Sequence, residues 1–252
     1  MTALGFIGTG HLAAFFVEGL SRAGAPYKVT LSPRNADVAE DLRARFGAAI
    51  APDNQAVIDG CDVIVVSVLP QQARAVLALL NFRGDQTVLS VMAGIGLAAI
   101  GELVSPATAA VAMMPGHANA LGVGPSVLHP DMPAARELLR HLGPVHAYGS
   151  DAEFAAASVL GAFSGMSLLL MKQAIDWFAA NGLGAADARK LVAEVVGGNA
   201  TVLRDSPLAL NDIIAGVATP GGITEQGWRV AEEGRHWPAA FDAVLHRLSQ
   251  VE

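Results

Sequence analysis

Gly8, Gly10 and Ala13 stand at the marked positions of a Gly-x-Gly-x-x-Ala spacing near the start of the chain. An apolar run, residues 4–7, leads into it. A helical pattern at Leu12, Phe15, Phe16 and Leu20 follows. Between a strand and a helix, this spacing has a chemistry. Gly8 takes a tight turn, Gly10 leaves the backbone bare for a pyrophosphate, and Ala13 lets the helix pack close to the strand. The N–H groups and dipole at the helix start then favour phosphate oxygens. Gly8, Thr9, Gly10, His11 and Leu12 are therefore expected to line a dinucleotide.

Such a fold presents a second group, to the adenosine ribose, at the end of its second strand, and Asp or Glu there suits NAD. This chain has Ser32, Arg34 and Asn35 instead. A guanidinium and a hydroxyl suit a 2′-phosphate, so NADP(H) is expected ahead of NAD. A third group is Thr219-Pro220-Gly221-Gly222-Ile223-Thr224. The turn leads into a helical pattern, and its N–H groups and hydroxyls can converge on one small anion, a carboxylate being the natural candidate. An ordinary helix N-cap by Thr219 or Thr224 reads the same residues equally well.

The elements that must position these groups follow from periodicity. Residues 4–7, 28–31, 47–51, 62–69, 87–92 and 109–113 read as strands. Helical patterns separate them, at 36–46, from Gln71 to Leu80, and briefly after Gly96. The run 62–69 is continuously apolar apart from its opening aspartate and its serine, as in a strand covered on both faces. Strands alternating with helices predict an α/β fold, a Rossmann-type doubly wound parallel sheet with right-handed crossovers, over residues 1–150. From Asp151 the strand signals vanish. Helical patterns at 151–181, 185–204, 224–233 and 238–248 predict an all-helical second domain over residues 151–252. Residues 154–171 carry no charge and approach the length of a membrane span. They are rich in Ala, Ser and Gly and lack a flanking positive cluster, so a helix buried between subunits is expected and no membrane partner.

Composition bounds the rest. The 252 residues are 52% hydrophobic and 15% charged, enough for a large core with apolar surface left for a partner. A formal charge of -7 and no basic stripe argue against nucleic acid. A single cysteine, Cys61, leaves no internal disulfide and fits a reducing compartment. No charged segment precedes the first apolar run, so no signal peptide is read and a cytoplasmic protein is expected. His129, His141, His146, His236 and His246 show no metal-ligand spacing, so no metal is expected.

The chain resembles the pyrroline-5-carboxylate reductases, the family that makes proline by reducing a cyclic imine. The resemblance rests on the opening Gly-x-Gly-x-Leu-Ala, the Val-x-Pro-Gln run at 68–71, and Ala93-Gly94-Ile95. Met114-Pro115, the paired Gly122 and Gly124, and the Thr-Pro-Gly-Gly-x-Thr turn complete it. It implies a helical dimerisation domain, at least a homodimer, and an active site completed across the dimer. It implies that Asn54, Val68, Pro70, Ala93 and Gly94 border the cofactor. Thr219, Gly221 and Gly222 would cradle the substrate carboxylate, and the Thr224 hydroxyl would approach the ring nitrogen. Gln55 would lie near the adenine and ribose.

Three segments depart from the family pattern. Gly116-His117-Ala118 follows Met-Pro in place of Asn-Thr-Pro, which sets His117 where it could touch substrate. Leu69 replaces a lysine, and residues 161–166 replace a Ser-Gly-Ser-Gly-Pro-Ala run. The reading is NADPH-dependent reduction of 1-pyrroline-5-carboxylate to L-proline by hydride transfer. The alternatives are a reductase or dehydrogenase for another imine or keto substrate, and a non-catalytic NADP-binding protein, against which the retained Thr224 argues.

Overall fold

Successive side chains of a strand point to opposite faces, and the first strand of this chain is buried on both. Leu4 and Phe6 enter one apolar cluster and Ile7 the other. The computed structural model describes residues 1–218, together with Thr224 and His246, each of which is helical. In chain order the elements begin β1 (Thr2–Ile7), α1 (His11–Arg22), β2 (Tyr27–Leu31), α2 (Ala36–Phe46), β3 (Ala49–Ile50) and α3 (Asn54–Gly60). Then come β4 (Val63–Val66), a 3₁₀ turn (Pro70–Gln72), α4 (Ala73–Leu77), β5 (Thr87–Ser90), α5 (Leu97–Val104) and β6 (Thr108–Met113). α6 (His117–Ala120), β7 (Ser126–His129), α7 (Pro133–Arg140) and β8 (Val145–Ala147) follow. The helices α8 (Asp151–Ser158), α9 (Leu160–Ala180), α10 (Ala185–Asp205) and α11 (Leu210–Val217) end the series.

One eight-stranded sheet has the order β3-β2-β1-β4-β5-β6-β7-β8. Six strands are parallel, as periodicity predicts. β7 pairs antiparallel to β6, and β8 follows β7 in parallel, so the last two strands run against the rest. The expectation of a purely parallel sheet is corrected at that edge. Pro125 and Pro130 bracket a four-residue run there, too short to show a period.

Helices α1, α2 and α7 cover one face of the sheet, burying Phe16, Leu20, Leu42 and Leu138. Helices α3, α4 and α5 cover the other, burying Ile58, Leu77 and Ile100. Cys61 belongs to this second layer. Burial pushes its thiol pKa up, which keeps it in the poorly reactive thiol form, as a small apolar residue would be.

The turn after α3 is closed by side chains. Gln86, 1% exposed, donates through Nε2 to the Ile58 carbonyl at 2.6 Å and to the Cys61 carbonyl at 2.8 Å. Its Oε1 accepts the Arg83 N–H at 2.8 Å. Gln86→Leu is expected to lower unfolding stability by about 1–3 kcal/mol, the cost of buried polar groups losing a partner. Urea denaturation measures this, and an unchanged midpoint would show that Arg83, which also reaches both carbonyls, suffices alone.

The first compact unit runs from Met1 to Ala162, past the composition change at Asp151. It includes α8, whose N-cap Ser150 accepts the Glu153 N–H and whose Phe154 packs on the second layer. The second unit begins at Phe163. Ala188 and Val192 of α10 are buried in it. Phe163, Leu168, Leu169, Leu170 and Trp177 of α9 are exposed, as are Val195, Val202 and Leu203 of α10. Residues 151–180 are also long and apolar enough to cross a membrane, by length and composition.

Candidate functional site

Parallel strands bring their carboxyl ends to one edge of a sheet, and the edge opens where the strand order reverses, between β1 and β4. The registers Phe6↔Leu31, Ile7↔Val66, Val66↔Ser90 and Ser90↔Val111 set these strand ends level. Past that level the chain carries nearly every described residue that sequence reasoning singled out. Gly8 to Leu12 follow β1, and Ser32, Arg34 and Asn35 follow β2. Asn54 opens α3 after β3, Val68 and Pro70 follow β4, Ala93 and Gly94 follow β5, and His117 follows β6.

Gly8 makes the turn out of β1 with φ +97°, the left-handed region that disfavours side chains. A Cβ there would lie 2.8 Å from the Ser67 carbonyl carbon and the Val68 nitrogen, in backbone that cannot yield. Gly10 is different, for a Cβ on it would meet nothing within 4 Å. Packing does not require that glycine, and open space lies over the start of α1. Gly10 is the N-cap of α1, with no side-chain cap and no acidic residue in the first turn. Uncapped N–H groups under an open cradle fit a pyrophosphate. His11 is exposed at this rim and Leu12 is half-buried.

Arg34 is exposed, and among the described residues it has no ion pair or hydrogen bond. Asn35 is exposed, lies at φ +66°, and is the N-cap of α2 without a side-chain capping bond. Both side chains are available to a ligand. Ser32 is not. It is 0% exposed, and its Oγ accepts the Gly8 N–H at 3.0 Å. The Ser32 N–H donates to the Phe6 carbonyl at 3.0 Å, so the ladder extends one residue beyond Leu31 and turns the hydroxyl inward. The expected contact of Ser32 with a 2′-phosphate is corrected on this ground. Thr9, 3% exposed, is likewise turned in, its Oγ1 donating to the Ser32 carbonyl at 2.8 Å.

Asn54 is half-buried behind the N-cap Asp53, which accepts the Ala56 N–H. Gln55 is committed elsewhere, exchanging two hydrogen bonds with the Asn81 backbone and donating to Asp59. Val68 and Pro70 are half-buried, Leu69 between them is exposed, and Ala93 is exposed beside the half-buried Gly94. His117 is exposed with its ring 4.4 Å from that of Phe15 on α1. Its loop is held by the buried Asn119, which accepts the Gly116 N–H and donates to the Gly124 carbonyl.

Sequence reasoning missed Ser67, whose Oγ donates to the Gly8 carbonyl at 2.6 Å. The signal was a lone hydroxyl in the apolar run Val-Ile-Val-Val-Ser-Val. His129 is turned away from this edge, because β7 is reversed. Its Nδ1 lies 2.9 Å from the Tyr148 carbonyl and its Nε2 3.3 Å from Asp151. Among the described residues no His, Cys, Asp and Glu cluster could hold a metal. Residues 219–223, with Thr219, Gly221 and Gly222, lie outside the described residues. Thr224 is helical and exposed.

Comparison with known proteins bears on both halves of the chain. Residues 3–94 match the family described as NADP oxidoreductase, coenzyme F420-dependent. Residues 152–251 match the family described as pyrroline-5-carboxylate reductase dimerisation. A pyrroline-5-carboxylate reductase from Corynebacterium melassecola is 29% identical, over 92% of this chain and 91% of its own. Among solved structures, 1-pyrroline-5-carboxylate reductase from Streptococcus pyogenes superposes with a TM-score of 0.88 at 22% identity, covering 98% of both chains. Plasmodium falciparum pyrroline carboxylate reductase, solved with NADP bound, gives 0.88 at 18% identity, over 99% of this chain and 98% of its own.

Proposed function

We propose that this chain, whose residues 152–251 match the pyrroline-5-carboxylate reductase dimerisation family, is a pyrroline-5-carboxylate reductase that reduces 1-pyrroline-5-carboxylate to L-proline with NADPH. The observation that carries the reading is the convergence of the glycine turn, Arg34, Val68, Pro70, Ala93 and Gly94 on one sheet edge, in a chain whose helical half matches the dimerisation family. When bound, the reduced nicotinamide supplies a hydride to the imine carbon, and the protein supplies binding, orientation and charge. Uncapped N–H groups of α1 hold the pyrophosphate, and Arg34 and Asn35 meet the 2′-phosphate. Asn54 borders the ribose, and the residues after β4 and β5 line the nicotinamide side.

We assign residues 1–150 to the nucleotide and residues 151–252 to the substrate and to dimerisation. Thr219, Gly221 and Gly222 cradle the carboxylate, Thr224 turns its hydroxyl to the ring nitrogen, and His117 contacts substrate. Water can protonate the imine before transfer, so the reading needs no dedicated acid. We read the exposed apolar face of α9 as an interface with a second copy rather than a membrane contact, and the protein as cytoplasmic.

The test is oxidation of NADPH against a panel of cyclic imines with and without a carboxylate. Turnover of 1-pyrroline-5-carboxylate ahead of the others supports the proposal. Preference for another imine or keto acid would move the substrate and point to Leu69 and the Gly116-His117-Ala118 loop. NADPH binding with no turnover of any of them would leave a binding protein. Thr224→Val keeps the side-chain shape and removes the hydroxyl. It is expected to lower kcat/KM about ten- to hundredfold, the worth of a hydrogen bond to a charged group, with NADPH affinity unmoved. Full activity in that variant would reduce Thr224 to an ordinary helix residue.

A further inference from the structure

The peptide groups of Gly8 are held by two hydroxyls from the strands on either side of β1. The Gly8 N–H donates to Ser32 Oγ, at the end of β2, over 3.0 Å. The Gly8 carbonyl accepts Ser67 Oγ, at the end of β4, over 2.6 Å. The order of the protons follows from simple counting. Thr9 Oγ1 donates to the Ser32 carbonyl at 2.8 Å, which spends its one proton. At the 3.1 Å contact between Thr9 Oγ1 and Ser32 Oγ, the donor is therefore Ser32. Ser32 thus accepts from Gly8 and donates to Thr9, and has no proton left for a phosphate.

We infer that Ser32 and Ser67 are positioning residues that clamp the glycine turn and so aim the N–H groups of α1 at a dinucleotide. The inference rests on the NADPH reading above and goes beyond it, because it gives two serines a role that does not depend on the 2′-phosphate. Gly8 is in the left-handed region, with backbone of β4 close on one side. Its N–H would lack a partner without Ser32, and a part-buried donor left unpaired is costly enough to shift the turn. The consequence falls on the pyrophosphate, which NADPH and NADH share.

The discriminating experiment measures the dissociation constants of both nucleotides for wild type, Ser32→Ala and Ser67→Ala. The clamp predicts that each variant weakens NADPH and NADH by the same factor, about three- to tenfold for a neutral hydrogen bond. The NADPH/NADH ratio stays at the wild-type value. Amide exchange at Gly8 is the second readout. The wild-type Gly8 N–H exchanges slowly, and Ser32→Ala speeds it while the amides of β4 and β5 keep their protection. Loss of NADPH alone in Ser32→Ala would overturn the inference, for Ser32 would then be a phosphate ligand. So would unchanged affinity in both variants, or fast exchange at Gly8 in the wild type. A wild type that bound neither nucleotide would sink the cofactor reading and the clamp with it, whereas normal wild-type binding with insensitive variants sinks the clamp alone.

Discussion

Arg34→Ala is expected to weaken NADPH binding about ten- to hundredfold and to leave NADH nearly unchanged. The magnitude is that of a charge-assisted hydrogen bond, about 1.5–3 kcal/mol, converted to affinity. The geometry narrows the expectation to this residue. Ser32 is 0% exposed with its hydroxyl committed, so it cannot share the 2′-phosphate. Arg34 is exposed just past the end of β2, and among the described residues no carboxylate holds it. Asn35 offers its amide alongside, but without charge. Because the pair would be exposed, the NADPH preference should shrink as salt rises toward 1 M, where the screening length falls to about 3 Å. Arg34→Lys keeps the charge and loses the planar fork, so its loss should be smaller. Equal weakening of both nucleotides by Arg34→Ala would show that Arg34 supports the loop instead.

The contrast between Arg34 and Ser32 shows what a sequence can carry. Both residue types suit a phosphate, and both follow the second strand. Which of them faces outward depends on whether the ladder ends at Leu31 or one residue later, and a single backbone hydrogen bond, Ser32 N–H to Phe6, decides it. The glycine turn was legible because Gly8 and Gly10 answer to backbone geometry and open space, which are local. The central parallel strands β1, β4 and β5 were legible because a strand buried on both faces reads as an apolar run. β7 and β8 were not. Each is three or four residues long, and antiparallel pairing is set by the partner strand. Helix α3 was missed because its cap, Asp53, and the side chains that close it, Arg83 and Gln86, are about 30 residues apart in the chain.

Replacing Gly165 with glutamate is expected to abolish the dimer. Gly165 lies on α9 among Phe163, Leu168, Leu169 and Leu170, all exposed, and a Cβ on it would meet nothing within 4 Å. The substitution therefore leaves the protomer's own packing untouched. Large apolar side chains left in water this way each forgo about 1.5–3 kcal/mol of burial, which a partner surface can supply. Small residues, Ser164 and Gly165, let a second helix approach closely, whereas Gly161 is already packed against Met113 of its own chain. A two-fold interface repeats every contact, so one substitution places two carboxylates in it. An uncompensated buried charge costs about 3–5 kcal/mol, so even one shifts the dissociation constant by roughly a hundred- to several-thousandfold. Light scattering at micromolar concentration should show a wild-type dimer or larger and a Gly165→Glu monomer of native helix content. Catalysis would fall with assembly if the active site is completed by the partner, while NADPH affinity, which rests on β1, β2 and α1, would hold. Wild-type protein that stays monomeric, or that sediments with lipid vesicles instead of pairing, would remove the interface and return the apolar face of α9 to the membrane reading.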